Sequence, residues 1–500
     1  MKKGAIILAV YMAMLGCVCP SYASKNIISF FPEEEINVLK LNSTLAKAHY
    51  LAGMRYEALG DMEKALLEYE EAFEKDPSNF NVLLRLGNAQ YRLKKFAEAQ
   101  KTFEIASEAF PEFYLGHIML ATIYYAQGKV SDSERTYKKA ISSNPGELAA
   151  YVGLGSLYIQ EKRIADAIEI HKKALRFFPE DATLYFKIGL LYSKEKKLNK
   201  AIEYLLKSCE LDPEWLQAKL ALAVAYEINE QYEDAIRIYK EAILINPSDV
   251  NIYRRLAELS DFKNNLADAE KYYSVLVYLD PANLRNYISL GSIYLQENKL
   301  QDALSIVQKG REKNFEVPEL FLLLGLIYFK MGETDQSIDA YLRAIELGGD
   351  RSSVYFHLGA AYEQAGWYEK AVETFKYVIE NDPENANAMN YLGYMYAEHG
   401  ENLEEAVRLI KKAIDKDPEN GAFIDSLGWV YYKQGRLLEA TRLLKKAAKI
   451  VGDDPVVIEH LGDVYYKRGM KELAIKHWKR SLELDPARDE LKDKLEEVND

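Results

Sequence analysis

Three cysteines in five hundred residues are too few for a disulfide framework, and two of them, Cys17 and Cys19, fall in the first twenty positions. Cys209 then stands alone, and a free cysteine is most often a small apolar packing residue. Histidine is scarce as well: there are seven, and none forms a His-x-x-x-His pair or joins a cysteine at ligand spacing. Phosphate-cradling loops of the Walker type are missing, so neither a metal nor a cofactor is expected. Positive charge is in deficit, with 64 Lys+Arg against 77 Asp+Glu and a net charge of -13, which repels phosphate backbones and anionic lipids. Nucleic acid is therefore not an expected partner. With 49% hydrophobic residues the chain has ample material for burial, and disorder as the main state is excluded.

Beyond the start of the chain, no apolar run approaches the roughly 20 residues that span a bilayer. At the start, Met1-Lys2-Lys3 is basic, Ala5 to Gly16 is apolar, and Pro20-Ser21-Tyr22-Ala23 ends in a small-x-small pattern. This reads as a secretory signal peptide over residues 1–23, placing the protein in the periplasm. Two processing routes stay open. Cleavage after Ala23 releases a soluble chain, whereas Met14-Leu15-Gly16-Cys17 resembles a bacterial lipobox, in which Cys17 is lipidated and anchors the protein to the outer membrane. A lipid on Cys17 is the one expected membrane attachment.

Proline is modest in number, 14 in all, but regular in place. Pro77, Pro111, Pro145, Pro179, Pro213, Pro247 and Pro281 are 34 residues apart, and the beat returns at Pro383, Pro418 and Pro486 with one residue inserted near His399-Gly400-Glu401-Asn402. Phe315, Gly349 and Gly452 fill the remaining stations, which makes thirteen. A period of this length marks a helix-turn-helix array. With the proline set at position 32, position 8 is always Gly or Ala, from Gly53 and Gly87 to Gly428 and Gly462. Position 20 is always Ala or Ser, and small residues at both places let two antiparallel helices approach closely. Position 11 accounts for much of the tyrosine excess of 37 over 18 phenylalanines, failing only at Gln90 and Ser260.

This pattern resembles the tetratricopeptide repeat (TPR) family: in the first repeat Gly53, Tyr56, Ala65, Tyr69, Ala72 and Pro77 all fall on its motif. The resemblance implies an all-α solenoid wound as a right-handed superhelix. The expected organisation is a signal peptide over 1–23, an N-terminal lead-in segment over 24–45, thirteen repeats over 46–487 and a capping helix over 488–500. The lead-in, with Ile27-Ile28-Ser29-Phe30-Phe31-Pro32 and the acidic Glu33-Glu34-Glu35, reads as a cover for the exposed face of repeat one. A membrane-proximal spacer or partner-binding arm is its alternative. Recurrent Asp-Pro pairs and acidic helix stretches read as solvated turns and faces, so no enzymatic activity is expected.

In the resembling family, positions 2, 5, 9, 12 and 13 of each first helix line a concave groove. Here that groove is apolar in repeats three to six, as at Ile118, Tyr125, Phe186, Leu190 and Val224, and in repeats eight to ten, as at Ile288 and Phe329, and changes character in the last three repeats. There it carries Asn390, Tyr394, Asp425, Trp429, Tyr432, Asp463 and Tyr466, rings flanked by carboxylates and amides, which is the composition of an interaction hot spot. Stacking between successive repeats is the competing role for the same residues. The segments Asn390-Tyr391-Leu392-Gly393-Tyr394, Asp425-Ser426-Leu427-Gly428-Trp429-Val430 and His460-Leu461-Gly462-Asp463-Val464 also resemble exported bacterial TPR lipoproteins. Those act as adaptors between a carboxy-terminal processing protease and its cell-wall hydrolase substrates. The implied function is a non-enzymatic scaffold of the cell envelope with such partners. The alternatives are an assembly factor for surface polysaccharide or pilus export, or an accessory subunit without its own active site. Intact mass of the exported protein decides between the two processing routes: an unmodified chain from Ser24 gives soluble export, and an acylated chain from Cys17 gives lipid anchoring.

Overall fold

A first helix of each repeat ends where the backbone must turn through the left-handed region. Position 15 is Gly60, Gly128, Gly332, Gly366, Gly400, Gly435 or Gly469 in seven repeats, with φ of 68° to 82°. In six others Lys94, Lys162, Lys196, Glu230, Asn264 and Asn298 hold the same conformation, φ 55° to 60°, at a cost that glycine avoids. The inserted residue in repeat eleven is absorbed at this turn, where Asn402 adds a second left-handed residue after Gly400.

The second turn, back to the next first helix, is built by Asp and Asn around the proline. Asn283 Nδ2 donates to Asp280 Oδ2 at 3.1 Å while Asn283 Oδ1 accepts from the Arg285 backbone N–H at 3.2 Å, capping the helix that follows. Asn385 with Asp382 and Asn420 with Asp417 repeat the motif. The expectation of solvated Asp-Pro turns thus needs correction at Asp76, which is buried at 1% exposure and organises the turn from inside.

The computed structural model describes residues 44–112, 114–313, 316–349 and 351–499. The expected signal peptide, the candidate lipidation site Cys17, the lead-in up to residue 43 and the Phe315 station lie outside the described residues. Among the described residues there are twenty-seven α-helices, numbered α1 to α27 in chain order, and no strand, with 80% of the structure helical. α1 (Thr44–Ala58) and α2 (Met62–Lys75) form the first antiparallel pair, and the same pair recurs down to α25 (Pro455–Lys467) and α26 (Lys471–Leu484), followed by α27 (Asp489–Asn499). The fold is an all-α solenoid. The chain divides into two compact units, one up to Leu256 and one from Ala257. Among the described residues, no helix is long and apolar enough to cross a membrane.

In the ten repeats with glycine at position 8, that glycine faces the side chain at position 24. A Cβ on Gly53 would lie 2.6 Å from the Tyr69 ring, on Gly325 2.4 Å from Tyr341, and on Gly462 2.4 Å from Trp478. Between pairs, positions 3, 6 and 10 of a first helix meet the preceding repeat. Val82 and Ala89 are 0% and 2% exposed in repeat two, and Leu320 and Ile327 are both 0% in repeat nine. At the C-terminal end α27 supplies the same three positions as Leu491, Lys494 and Val498: Leu491 is fully buried, and Val498 packs against the last repeat.

Gly462→Ala should destabilise repeat thirteen by about 1–3 kcal/mol through overpacking against Trp478, although alanine is ordinarily the better helix former. Hydrogen exchange of α25 and α26 checks this, and unchanged protection refutes it. Lys162→Gly, which relieves a left-handed lysine, should stabilise its hairpin by about 1 kcal/mol by the same readout.

Candidate functional site

The first helices of the last three repeats, α21 (Ala386–His399), α23 (Gly421–Lys433) and α25, carry every candidate partner-binding residue. Helical spacing brings positions 5, 9 and 12 to one face of each, and the structure brings the three faces together, largely by packing them on one another. The Trp429 indole, 7% exposed, is stacked between Tyr432, with ring centroids 4.7 Å apart, and His460, 4.0 Å away and inclined by 15°. Its Nε1 donates to Glu398, and the Lys433 ammonium lies 4.9 Å from its ring centroid.

His460 belongs to the next repeat and binds Asp425 through Nδ1, at 3.1 and 3.0 Å from the two carboxylate oxygens. A carboxylate only accepts, so the ring proton sits on Nδ1. Both partners are buried, at 5% and 6% exposure. Asp463 is likewise spent within the fold: it accepts from Trp478 Nε1 at 2.9 Å and from the Lys494 ammonium of α27 at 2.9 Å. The same lysine reaches Glu459 at 2.9 Å, and Arg488 also bonds that carboxylate. The two candidate aspartates therefore have separate cationic or N–H partners and do not form an acid–base pair.

Four candidates stay at least partly accessible. Tyr466 is 42% exposed, its ring 5.3 Å from Trp478. Tyr432 is half-buried beneath the Lys467 ammonium, 4.5 Å from its centroid. Tyr394 is half-buried, and burial with the nearby Glu398 and Asp425 carboxylates pushes its hydroxyl well above the usual tyrosine range. Asn390 is half-buried, and its Oδ1 is sealed from solvent without a hydrogen-bond partner.

Sequence reasoning passed over Glu398 and Lys494 as members of this cluster and did not pair His460 with Asp425. The signal was available in the register: position 6 is where each first helix reaches back to its predecessor, as Arg85 does to Glu57 at 3.1 Å in repeat two.

The remaining histidines are structural. His49 pairs with Glu68 at 2.8 Å, His117 contacts the Pro111 carbonyl at 3.1 Å, and His357 stacks on Tyr341. His171 fills position 24 in repeat four, 1% exposed, with neither ring nitrogen hydrogen-bonded. Burial, with Lys187 adding, pushes its pKa down to about 3. Among the described residues no group of three or more His, Cys, Asp or Glu is placed to hold a metal ion.

Family models described as tetratricopeptide repeats match residues 228–292, 325–366, 358–421 and 401–455. A model of the cilia and flagella-associated protein 70 C-terminal domain matches residues 33–249. No curated protein matches the chain. Among solved structures, the chain is similar to the APC/C hetero-tetramer Cut9-Hcn1, with 17% identity over 92% of this chain and 97% of that one and a TM-score of 0.44. It is also similar to yeast Tom70, at 17% identity over 84% and 95% with a TM-score of 0.40. The C-terminal part of a TPR repeat-containing protein from Cytophaga hutchinsonii matches at 19% identity over 48% of this chain and 99% of that one, TM-score 0.43.

The unpartnered His171 makes stability depend on pH. Below the ordinary value of 6.5 the unfolded chain takes up a proton that the folded chain refuses until about 3, so stability falls as pH falls between those limits. The slope is about 1.4 kcal/mol per pH unit for the repeats around His171. His171→Phe, the residue found at this station as Phe103 and Phe375, should remove that slope in denaturant melts compared at neutral and acid pH. Equal acid sensitivity of the two proteins refutes it.

Proposed function

Because the chain is a tetratricopeptide-repeat protein, whose fold is a protein–protein interaction scaffold, we propose that it is a non-enzymatic adaptor that holds proteins together in the bacterial cell envelope. The observation that carries the reading is the surface of the last three repeats. Buried stacking of Trp429 with His460 fixes α23 against α25, and Tyr394, Tyr432 and Tyr466 remain at least partly accessible beside carboxylates. Rigid aromatic groups set in a polar surround bind a partner with little ordering cost. Export is supported by the basic, apolar and small-x-small succession of residues 1–23, and attachment to the outer membrane by the lipobox-like residues ending at Cys17.

The partners we propose are a carboxy-terminal processing protease and the cell-wall hydrolases it acts on. Support comes from the resemblance of the segments 390–394, 425–430 and 460–464 to exported adaptors. In this role the chain brings protease and substrate together, and its own residues perform no bond chemistry.

Two measurements test this reading. Affinity capture from envelope extract should recover a protease and a hydrolase; recovery of polysaccharide or pilus export components instead would replace the adaptor role with an assembly role. Tyr466→Ala should weaken partner binding by about 2 kcal/mol with the melting profile unchanged. Trp429→Ala should instead loosen the last repeats by about 3–5 kcal/mol, because it empties a packed site. Equal binding by wild type and Tyr466→Ala removes this surface from the proposal.

A further inference from the structure

Among the described residues, the first and last repeats differ in what covers their outer faces. At the C-terminal end, α27 stands where a further first helix would begin, and Leu491, Lys494 and Val498 cover the last repeat from positions 3, 6 and 10. At the other end, the matching positions on α1 are Ala48, Leu51 and Arg55, all exposed, with Leu51 at 50%. In the following repeats this face is closed by the second helix of the preceding one: the Tyr137 ring sits beside Gly153, and the Phe375 ring lies 4.9 Å from Tyr391. Among the described residues, no second helix precedes α1 to do this. Leu67 on α2 is also 61% exposed, at a station that holds Lys101, Arg135, Glu169, Glu203 and Arg237 in the next five repeats.

We propose that residues 27–41 of this same chain fold back over the open face of α1, and that a helix begun by Pro32 and Glu33-Glu34-Glu35 serves as the missing second helix of an incomplete leading repeat. Forty-three residues precede α1, and the last of them adjoin Thr44 directly, so the segment reaches the face without a linker. The register supports it. The offset of sixteen residues that sets Tyr137 by Gly153 and Phe375 by Tyr391 pairs Leu51 with Glu35, next to Ile36. The segment supplies Ile36, Val38, Leu39 and Leu41 as apolar cover. Charge agrees as well: position 10 is apolar in the other twelve repeats and is arginine only at Arg55, which the acidic Glu33-Glu34-Glu35 complements. A terminal cap of this kind is what a stacked array requires, since each repeat buries its faces only against neighbours.

The test places a photoreactive diazirine analogue of leucine at position 51 of the full chain, with irradiation followed by gel separation and peptide mass spectrometry. The expected result is a monomeric product in which position 51 is joined to residues 27–41, with most of it lost in the Ile36→Asp, Leu39→Asp variant. A dimeric product joins α1 to a second copy and overturns the proposal, as does a monomer with no crosslink to that segment. Circular dichroism of the variant confirms that loss of the product is not loss of fold.

Discussion

Ten of the thirteen hairpins depend on one missing atom, the Cβ at position 8, and the other three carry nothing larger there than alanine. Where Gly53, Gly87, Gly325, Gly359 and Gly462 stand, the ring of Tyr69, Phe103, Tyr341, Phe375 or Trp478 occupies the space a methyl would need. The large residue at position 24 is thereby drawn to the axis of its hairpin, and the small residue at position 20 completes the approach. The approach is close enough for side chain to meet backbone: Ser133 Oγ donates to the Ala121 carbonyl at 2.7 Å, and Ser337 Oγ to the Gly325 carbonyl at 3.0 Å. Interaxial distance in a helix pair follows from the residues at the crossing, and here it is set by glycine or alanine on one side and a ring or a branched aliphatic side chain on the other in most pairs.

Cohesion between repeats follows a different rule. Within the hairpin the contact is nearly uniform, whereas position 6 varies and so gives each junction its own chemistry. Arg85 answers Glu57, Tyr391 stacks on Phe375, His460 answers Asp425 and stacks on Trp429, and Lys494 answers Asp463 and Glu459. Tyr69 joins the first of these by donating to Glu57 at 2.8 Å, tying the hairpin contact to the junction contact. An array whose stability is a sum of unit and neighbour terms can thus hold its units constant and tune its junctions one by one.

What could be read in the sequence was what the period multiplies. Positions 8, 11, 20 and 32 recur often enough that spacing alone exposes them, and their packing roles hold: Tyr158 at position 11 is 5% exposed and its hydroxyl donates to Glu134 in the preceding repeat at 2.9 Å. The left-handed station at position 15 escaped notice because lysine and asparagine share it with glycine. Asp76 could not be placed inside its turn from composition, since an Asp-Pro pair looks the same whether its carboxylate faces water or a capping Asn79. The groove presented the hardest case. A tryptophan and an aspartate on one helix face are a hot spot if the neighbouring helix turns away and a core if it supplies His460, and that choice rests on a neighbour thirty-odd positions distant.

Burial of half the candidate site is what gives the other half its value. Trp429, Asp425 and Asp463 are satisfied inside the fold, so the rings left at the surface do not move independently of the junctions beneath them. Tyr432 lies flat against Trp429, and Tyr466 rests against Trp478, whose indole N–H is held by Asp463, which in turn holds Lys494 of the terminal helix. A partner that lands on these tyrosines meets side chains whose rotamers are already fixed, and little of its binding energy goes into ordering them. In the proposed adaptor role, the same linkage couples the terminal helix energetically to the candidate surface although it contributes no candidate residue. Release of Lys494 would leave Asp463 and Glu459 buried with fewer partners, and that cost would be felt first at the Trp478 ring on which Tyr466 rests.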